Sequence, residues 1–284
     1  MGTRSSAHAL VAKKFSQMHG PSPYWPMVVH ELLRDEIDSR IDNPDWIWQS
    51  STSLCGMASF FNSLAWDDPY LYAFYLCEMY RCGAAYLGYG SSNPPLVTAS
   101  KATRSSKRPH GLPSADWIAL ASLRDHLNGV LHYSYNMGIP VLKEIPLLGF
   151  FGNPSLVEQV GGITYPEDMG SILKAVGYRN VVQKAYKSTH PGAASVHDAN
   201  HYHKAGYRIV ILINTDIMDD GATPSTMPDH WLRLAGPFEK KGNGYRVRVY
   251  NSQVGGLEWL PHSGKYLDQK NFLGNFFGFV AGRH

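Results

Sequence analysis

The chain has 284 residues, of which 44% are hydrophobic and 17% are charged, as in an ordinary globular protein with a sizeable core. Its net charge of +3 is too small to predict a nucleic-acid partner. The sequence contains no run of about 18 apolar residues, so no membrane span is predicted. The first residues lack the pattern of a secretory signal peptide. The expected location is therefore the cytoplasm, or the exterior after export without a classical signal.

The cysteine content excludes a disulfide scaffold. Three cysteines in a chain of this length, Cys55, Cys77 and Cys82, favour a reducing compartment. Cys77 and Cys82 lie on an apolar helical stretch, where buried core positions are expected. The cysteine spacing fits no zinc site, and no cofactor is expected.

The first half of the chain is predicted to be helical. One helical pattern spans residues 27–41. A second helix should begin near Cys55, because each residue of 51–53 can cap a helix, and its apolar side chains recur at the spacing of one buried face. Further helices should begin at Pro69 and at Ser114, the latter as the N-cap.

The second half changes to the two-residue period of strands after a helix that opens at about residue 164. Residues 207–214 form an unbroken apolar run, which predicts a central strand buried on both faces. Residues 230–234 and 245–251 alternate and predict two more strands, with a turn at 242–244 between them. A short fourth strand is expected at 257–260, and the chain ends in an aromatic-rich helix or strand.

This order of elements predicts an α+β fold, in which a helical half packs on an antiparallel sheet. We expect residues 1–45 to form an N-terminal helical extension. Residues 46–284 should form one domain, with a helical part to about residue 180 and a sheet part from about 181.

A candidate catalytic group emerges from the placement of four polar residues. Cys55 should lie at a helix N-terminus, where the helix dipole and the first amides favour the thiolate, which is the nucleophilic form. Strand parity puts His230 and Asn251 on core-facing sides of neighbouring strands. We expect the Asn251 oxygen to accept from Nδ1–H of His230, so that Nε2 faces the thiol. Gln49, six residues before Cys55, could donate to a developing oxyanion.

Each of these residues has a simpler interpretation. Cys55 could be a small buried core residue, and Gln49 could be an exposed polar residue. His230 could be a satisfied core histidine that pairs with Asp229 instead of Asn251, although parity favours Asn251. Asn251 could be a turn residue after a strand.

In the order and spacing of these residues the chain resembles the papain-like cysteine peptidases. Gln49 precedes Cys55-Gly56 by the spacing of that superfamily, and His230-Trp231 and Asn251-Ser252 follow in its order. The resemblance covers residues 48–66 and 164–260. It implies a papain-like fold with Cys55 as nucleophile, His230 as general base and acid, Asn251 as the orienting residue and Gln49 as the oxyanion donor.

The departures from that pattern point to a bacterial branch. Gly56-Met57 stands where papains carry a Trp after the nucleophile, Gln253 replaces the Trp after Asn-Ser, and the disulfide cysteines of secreted papains are missing. In these respects the chain is similar to bacteriocin-processing peptidases and to the papain-fold domains of bacterial toxins and secreted effectors.

The resemblance implies a cysteine hydrolase that cleaves an amide or isopeptide bond through a thioester, in a bacterial secreted effector or toxin. The alternatives are a glutamine deamidase or an acyl transferase on the same triad, or a non-catalytic papain-fold binding protein. The expected partners are a protein or peptide substrate, with an immunity or target protein as a further candidate, and neither nucleic acid nor membrane.

One segment competes with this site. Residues 197–203 hold three histidines and an aspartate, His197, Asp198, His201 and His203, which are possible ligands of zinc or another divalent metal. Their Gly-, Ser- and Ala-rich surroundings show no regular pattern, and we expect a solvated loop there without a metal.

Overall fold

A computed structural model of the protein describes residues 2–88, 94–128, 131–132, 141–142 and 164–284. The chain divides into two compact units, residues 1–163 and residues 164–284. The described residues combine helices with an antiparallel sheet, so the fold is α+β. No helix within the described ranges has the length and apolar character needed to cross a membrane.

The first unit is mainly helical. Its helices are α1 (Arg4–Ser16), α2 (His30–Asp42), α3 (Cys55–Asp67), α4 (Pro69–Cys82), α5 (Lys101–Ser105) and α6 (Ser114–Leu127), with a 3₁₀ turn at Pro44–Trp46. Two short antiparallel pairs join β1 (Ala84–Tyr86) to β2 (Leu96–Thr98) and β3 (Leu131–His132) to β4 (Val141–Leu142). Because α1 packs on α4 and α2 packs on α6, residues 1–45 belong to the body of this unit.

Helix α3 begins at Cys55, as predicted, but its surroundings differ from the prediction in two ways. The N-cap is Leu54, whose aliphatic side chain has no acceptor for the first amides. Every residue from Cys55 to Ala65 is buried, so α3 is a central helix enclosed on all sides rather than one with a single buried face. Likewise Ser114 is the first residue of α6, and Pro113 occupies its cap position.

The second unit is built around a sheet. Its elements are α7 (Pro166–Ala175), β5 (Arg179–Ala185), α8 (Gly192–Lys204), β6 (Arg208–Ile213), a 3₁₀ turn at Thr215–Met218, β7 (His230–Leu234), β8 (Glu239–Lys241), β9 (Gly244–Asn251), β10 (Gly256–Leu260), β11 (Leu267–Asp268), α9 (Gln269–Leu273) and β12 (Phe276–Arg283). The strands pair antiparallel in the order β10-β9-β7-β6-β12-β5, and β8 and β11 also pair with β9.

The position of β6 between β7 and β12 confirms the predicted central strand. Several elements of the second unit were not predicted, namely β5, α8 and the short strands β8 and β11, and α8 replaces the expected loop at residues 197–203. The turn at residues 242–244 joins β9 to the short strand β8 and not directly to β7.

One face of the sheet carries the hydrophobic core of the second unit. Alternate residues of β7 and β9, Leu232 and Leu234 with Val247 and Val249, are buried in it beside aromatic residues of β12 and α9. His230 and Asn251 continue these two alternating series. The strand parity therefore places a polar pair at the edge of an apolar layer.

Candidate functional site

His230 and Asn251 are brought together by the register of β7 and β9. Arg233 pairs with Tyr250 and Leu234 with Val249, so one further step places Asn251 opposite Leu232, two residues from His230 on the same face. The expected hydrogen bond is present: His230 Nε2 lies 3.2 Å from Asn251 Oδ1, and both side chains are buried.

The neighbours of Asn251 determine which ring nitrogen of His230 carries the proton. Asn251 Oδ1 accepts from the backbone amide of Gln253 at 2.9 Å, and Nδ2 donates to Glu258 Oε1 at 2.5 Å. Because this orientation turns the amide oxygen towards the ring, His230 must donate through Nε2–H, and Nδ1 keeps the lone pair. The predicted assignment of the two nitrogens was the reverse and is wrong.

Burial sets the protonation state of the ring. It lowers the pKa of His230 from its ordinary value of 6.5 to about 4, although the bond to Asn251 acts in the opposite direction. The imidazole is therefore neutral at neutral pH, with one nitrogen that carries a lone pair. Neutrality is the protonation state of a general base, but a pKa near 4 makes this buried ring a weaker base than an ordinary histidine.

Asp229, the alternative partner, is occupied elsewhere. Its two carboxylate oxygens accept from the amide and the hydroxyl of Thr215, each at 2.8 Å. Burial raises the pKa of the Asp229 carboxyl, and the two bonds from Thr215 oppose that rise. Asp229 thus supports the turn after β6, whereas Asn251 orients the imidazole.

The polar contacts extend beyond the predicted residues to Glu258 and His262. Glu258 on β10 pairs with Val249, so it lies on the same face of the hairpin as Asn251. Its second oxygen lies 2.9 Å from His262 Nδ1. Sequence analysis named neither residue, although the strand parity that selected Asn251 would also have selected Glu258.

In the first unit, Cys55 is the first residue of α3 and is 5% exposed. Further along the helix, the buried Asn62 donates to the backbone oxygen of Pro44 at 2.9 Å and to Asp45 Oδ1 at 3.0 Å. The same Asp45 oxygen accepts from the indole N–H of Trp66. These bonds attach the second half of α3 to the turn at residues 44–46.

Gln49 is buried rather than exposed, at 1% exposure. Its backbone oxygen accepts from the amide and the hydroxyl of Thr52, at 3.4 and 2.6 Å, which closes a tight turn with Ser50 at φ +57°. Among the described residues, the buried side-chain oxygen of Gln49 has no hydrogen-bond partner. Buried polar atoms without partners are rare, and they occur at functional sites.

A buried ion pair anchors the segment that leads into this turn. The Arg40 guanidinium binds both oxygens of Asp116, at 3.1 and 2.9 Å, and Asp116 Oδ2 also accepts from the amide of Trp48 at 3.2 Å. Burial raises the pKa of the Asp116 carboxyl, and the Arg40 charge opposes that rise. The residue before Gln49 is therefore tied to a charge pair in the core.

The other two cysteines occupy different surroundings. Cys77 is fully buried in α4, and burial raises the pKa of its thiol to about 12, so it should be unreactive. Cys82, the last residue of α4, is partly exposed. It is the thiol that competes with Cys55 for reagents in solution.

The rival metal segment lies on α8. Asp198 pairs with Lys184 at 2.7 Å, and Asn200 bonds the backbone of Phe238 through both amide atoms. Burial lowers the pKa of His203, with Arg208 acting in the same direction. Within the described ranges, no three His, Cys, Asp or Glu side chains come together as metal ligands.

Comparisons with known proteins add no relative. The chain matches no protein-family model, no curated protein and no solved structure. The first unit holds Gln49 and Cys55, and the second unit holds the bonded pair of His230 and Asn251.

Proposed function

We propose that the protein is a papain-like cysteine hydrolase, with Cys55 as nucleophile, His230 as general base and acid, Asn251 as its orienting residue and Gln49 as oxyanion donor. The observation that carries the proposal is the buried bond between His230 and Asn251. It gives a neutral imidazole in one tautomer, with a lone pair on Nδ1, and this combination is the requirement for activating a thiol.

The proposed reaction begins when His230 Nδ1 takes the proton of Cys55. The sulfur then attacks the carbonyl carbon of an amide or isopeptide bond and forms a tetrahedral intermediate. His230 returns the proton to the leaving nitrogen as the C–N bond breaks, which leaves a thioester on Cys55. Water then attacks the thioester carbon while His230 Nδ1 takes its proton. The C–S bond breaks, His230 returns the proton to the Cys55 sulfur, and the carboxylic acid leaves.

The negative oxygen of the intermediate needs donors that are in place before the reaction. The start of α3 supplies backbone N–H groups and the positive end of a helix dipole at Cys55. The proposed role of Gln49 is to add a side-chain N–H as a further donor, while its buried side-chain oxygen can only accept. Donors of this kind are worth about 3 kcal/mol each in transition-state stabilisation.

The proposed substrate is a protein or peptide, and the proposed setting is a secreted bacterial effector or toxin. Both rest on the resemblance of the residue pattern around Cys55, His230 and Asn251 to papain-fold toxin domains. Expression in the cytoplasm or periplasm of a host cell should slow growth, and the Cys55→Ala variant should remove that effect.

The test of the chemistry is the rate at which a chloroacetamide probe labels the intact protein, followed by mass spectrometry. We expect wild type to be labelled first at Cys55 and the His230→Ala variant to be labelled about a hundredfold more slowly, because the base is gone. Cys82→Ala is the matched control and should react like wild type. Preferential labelling of Cys77 or Cys82, or an unchanged rate in His230→Ala, would contradict the proposal.

A further inference from the structure

The Asn251 side chain can take two orientations, and only one of them supports the proposed base. With its oxygen towards His230, the amide accepts from Nε2–H. With its nitrogen towards His230, it would donate instead, and the proton of the ring would move to Nδ1. The other contacts of the amide therefore decide whether Nδ1 can accept a proton.

Two groups select between these orientations. The backbone amide of Gln253 donates to Asn251 Oδ1, at 2.9 Å, and so favours the observed orientation. Glu258 approaches the other end of the same amide, with Oε1 2.5 Å from Nδ2. A carboxylate can only accept, so a reversed amide would set two oxygens against each other.

Glu258 is itself held in place from two sides. Its position on β10 is set by pairing with Val249 on β9, in the same hairpin that carries Asn251. Its Oε2 contacts His262 Nδ1 at 2.9 Å, and the amide of His262 donates to the backbone oxygen of Met218 at 2.8 Å. The Glu258 side chain is 16% exposed and that of His262 is 46% exposed, so the series of contacts runs from a buried ring to the surface.

We propose that Glu258 is a positioning residue of the hydrolase, which holds the Asn251 amide in the orientation that keeps His230 in its Nε2–H tautomer, with His262 fixing the carboxylate. This inference rests on the proposed function. It adds Glu258 and His262 to the four proposed site residues, and these two act through Asn251 without touching substrate or thiol.

The tautomer can be measured without any reaction at Cys55. Long-range ¹H–¹⁵N NMR on the full chain labelled with [¹⁵N]histidine distinguishes the two tautomers, and His230→Gln identifies the His230 signals by their loss. We expect the Nε2–H form in wild type and in Glu258→Gln, whose amide oxygen can still accept from Asn251. In Glu258→Leu we expect a substantial Nδ1–H population.

The rate of Cys55 labelling supplies the second readout. In Glu258→Leu the maximal rate should fall about tenfold, with the half-saturating probe concentration unchanged, and Glu258→Gln should recover most of the loss. Glu239→Leu is the matched control, because Glu239 on β8 also lies beside β9 but binds Arg246 and Tyr266. It should alter neither the tautomer nor the rate.

Folded Glu258→Leu protein with only the Nε2–H tautomer would overturn the inference, and Glu258→Ala serves as a second variant should the Leu substitution prevent folding. The two proposals can fail separately. A Cys55 that stays unreactive in wild type would end the hydrolase proposal, whereas the NMR result would still decide the role of Glu258.

Discussion

Two buried carboxamides differ in their hydrogen bonding. One is the side chain of Gln49 in the first unit, and the other is that of Asn251 in the second. The Asn251 amide has a protein partner at each end, with His230 and Gln253 at its oxygen and Glu258 at its nitrogen. The Gln49 side-chain oxygen is buried and has no partner among the described residues. An amide with partners at both ends has a fixed orientation, whereas an amide whose oxygen is unbonded can still accept from a donor.

The segments that carry the two amides are also supported differently. Gln49 lies in a turn with Ser50 in the left-handed region, and the preceding Trp48 is anchored by the buried Asp116. Asn251 ends a strand whose hairpin partner carries Glu258. A buried charge pair thus holds the segment of the first amide despite the strained backbone at Ser50, while regular strand pairing holds the second.

The largest loss of folding stability should come from replacing Asp116, which anchors the segment that carries Gln49. Asp116→Ala leaves the Arg40 charge buried without its carboxylate, which should lower the free energy of unfolding by about 4 kcal/mol. Asp198→Ala is the matched control, because Asp198 also pairs with a basic residue, Lys184, but at about 38% exposure. It should cost less than about 1 kcal/mol in urea unfolding. Equal losses in the two variants would show that burial is not the cause.

The second effect should be a loss of stability in acid that is due to His230. Its folded pKa of about 4 lies below the ordinary value of 6.5, so below pH 6.5 the unfolded chain binds the proton more tightly. The neutral His230 therefore stabilises the fold above pH 6.5. This part of the free energy of unfolding is lost as the pH falls to about 4, and it amounts to about 3 kcal/mol for a pKa difference of about 2.5. Urea unfolding of His230→Gln at the same pH values should lack this part of the decline, and parallel curves would contradict the account.

The smallest effect on the free energy of unfolding should come from His8 on α1. Unlike His230, His8 should stabilise the fold at low pH and not at high pH. Burial lowers the pKa of His8, but its bonds to Asp38 at 2.6 Å and Asp42 at 2.9 Å outweigh burial and raise it. The stabilisation is therefore present below pH 6.5 and is lost as the pH rises through the folded pKa. His8 is one-third exposed, so we expect less than about 1 kcal/mol in thermal unfolding of wild type against His8→Gln. A wild type that gains stability over that range relative to the variant would refute this assignment.

Much of the fold was predictable because strand and helix periods are local. The apolar run of β6 and the alternation of β7 and β9 predicted their positions and the shared face of His230 and Asn251. By contrast, β5 is mostly exposed or half-buried, and α8 buries only small residues, Ser195, Val196 and Ala199. Neither element has the apolar pattern from which a strand or helix is predicted.

Of the candidate site, the pairing of His230 with Asn251 was predictable, but the details of that pairing were not. Parity could place Asn251 beside His230, but the choice of Nε2 depends on two further contacts of the amide, from Gln253 to its oxygen and from its nitrogen to Glu258. Arg40 and Asp116 lie 76 residues apart in the chain, and no local pattern links them. Contacts of this kind follow from tertiary packing and not from periodicity.

The most direct test of the central claim is a double-mutant cycle on the rate of Cys55 labelling, with His230→Ala, Asn251→Ala and the double variant. If Asn251 acts only through His230, Asn251→Ala should slow labelling of wild type about tenfold and His230→Ala about a hundredfold, and the double variant should match His230→Ala. The account would be contradicted if Asn251→Ala slowed labelling by the same factor with His230 absent, or if His230→Ala reacted at the wild-type rate.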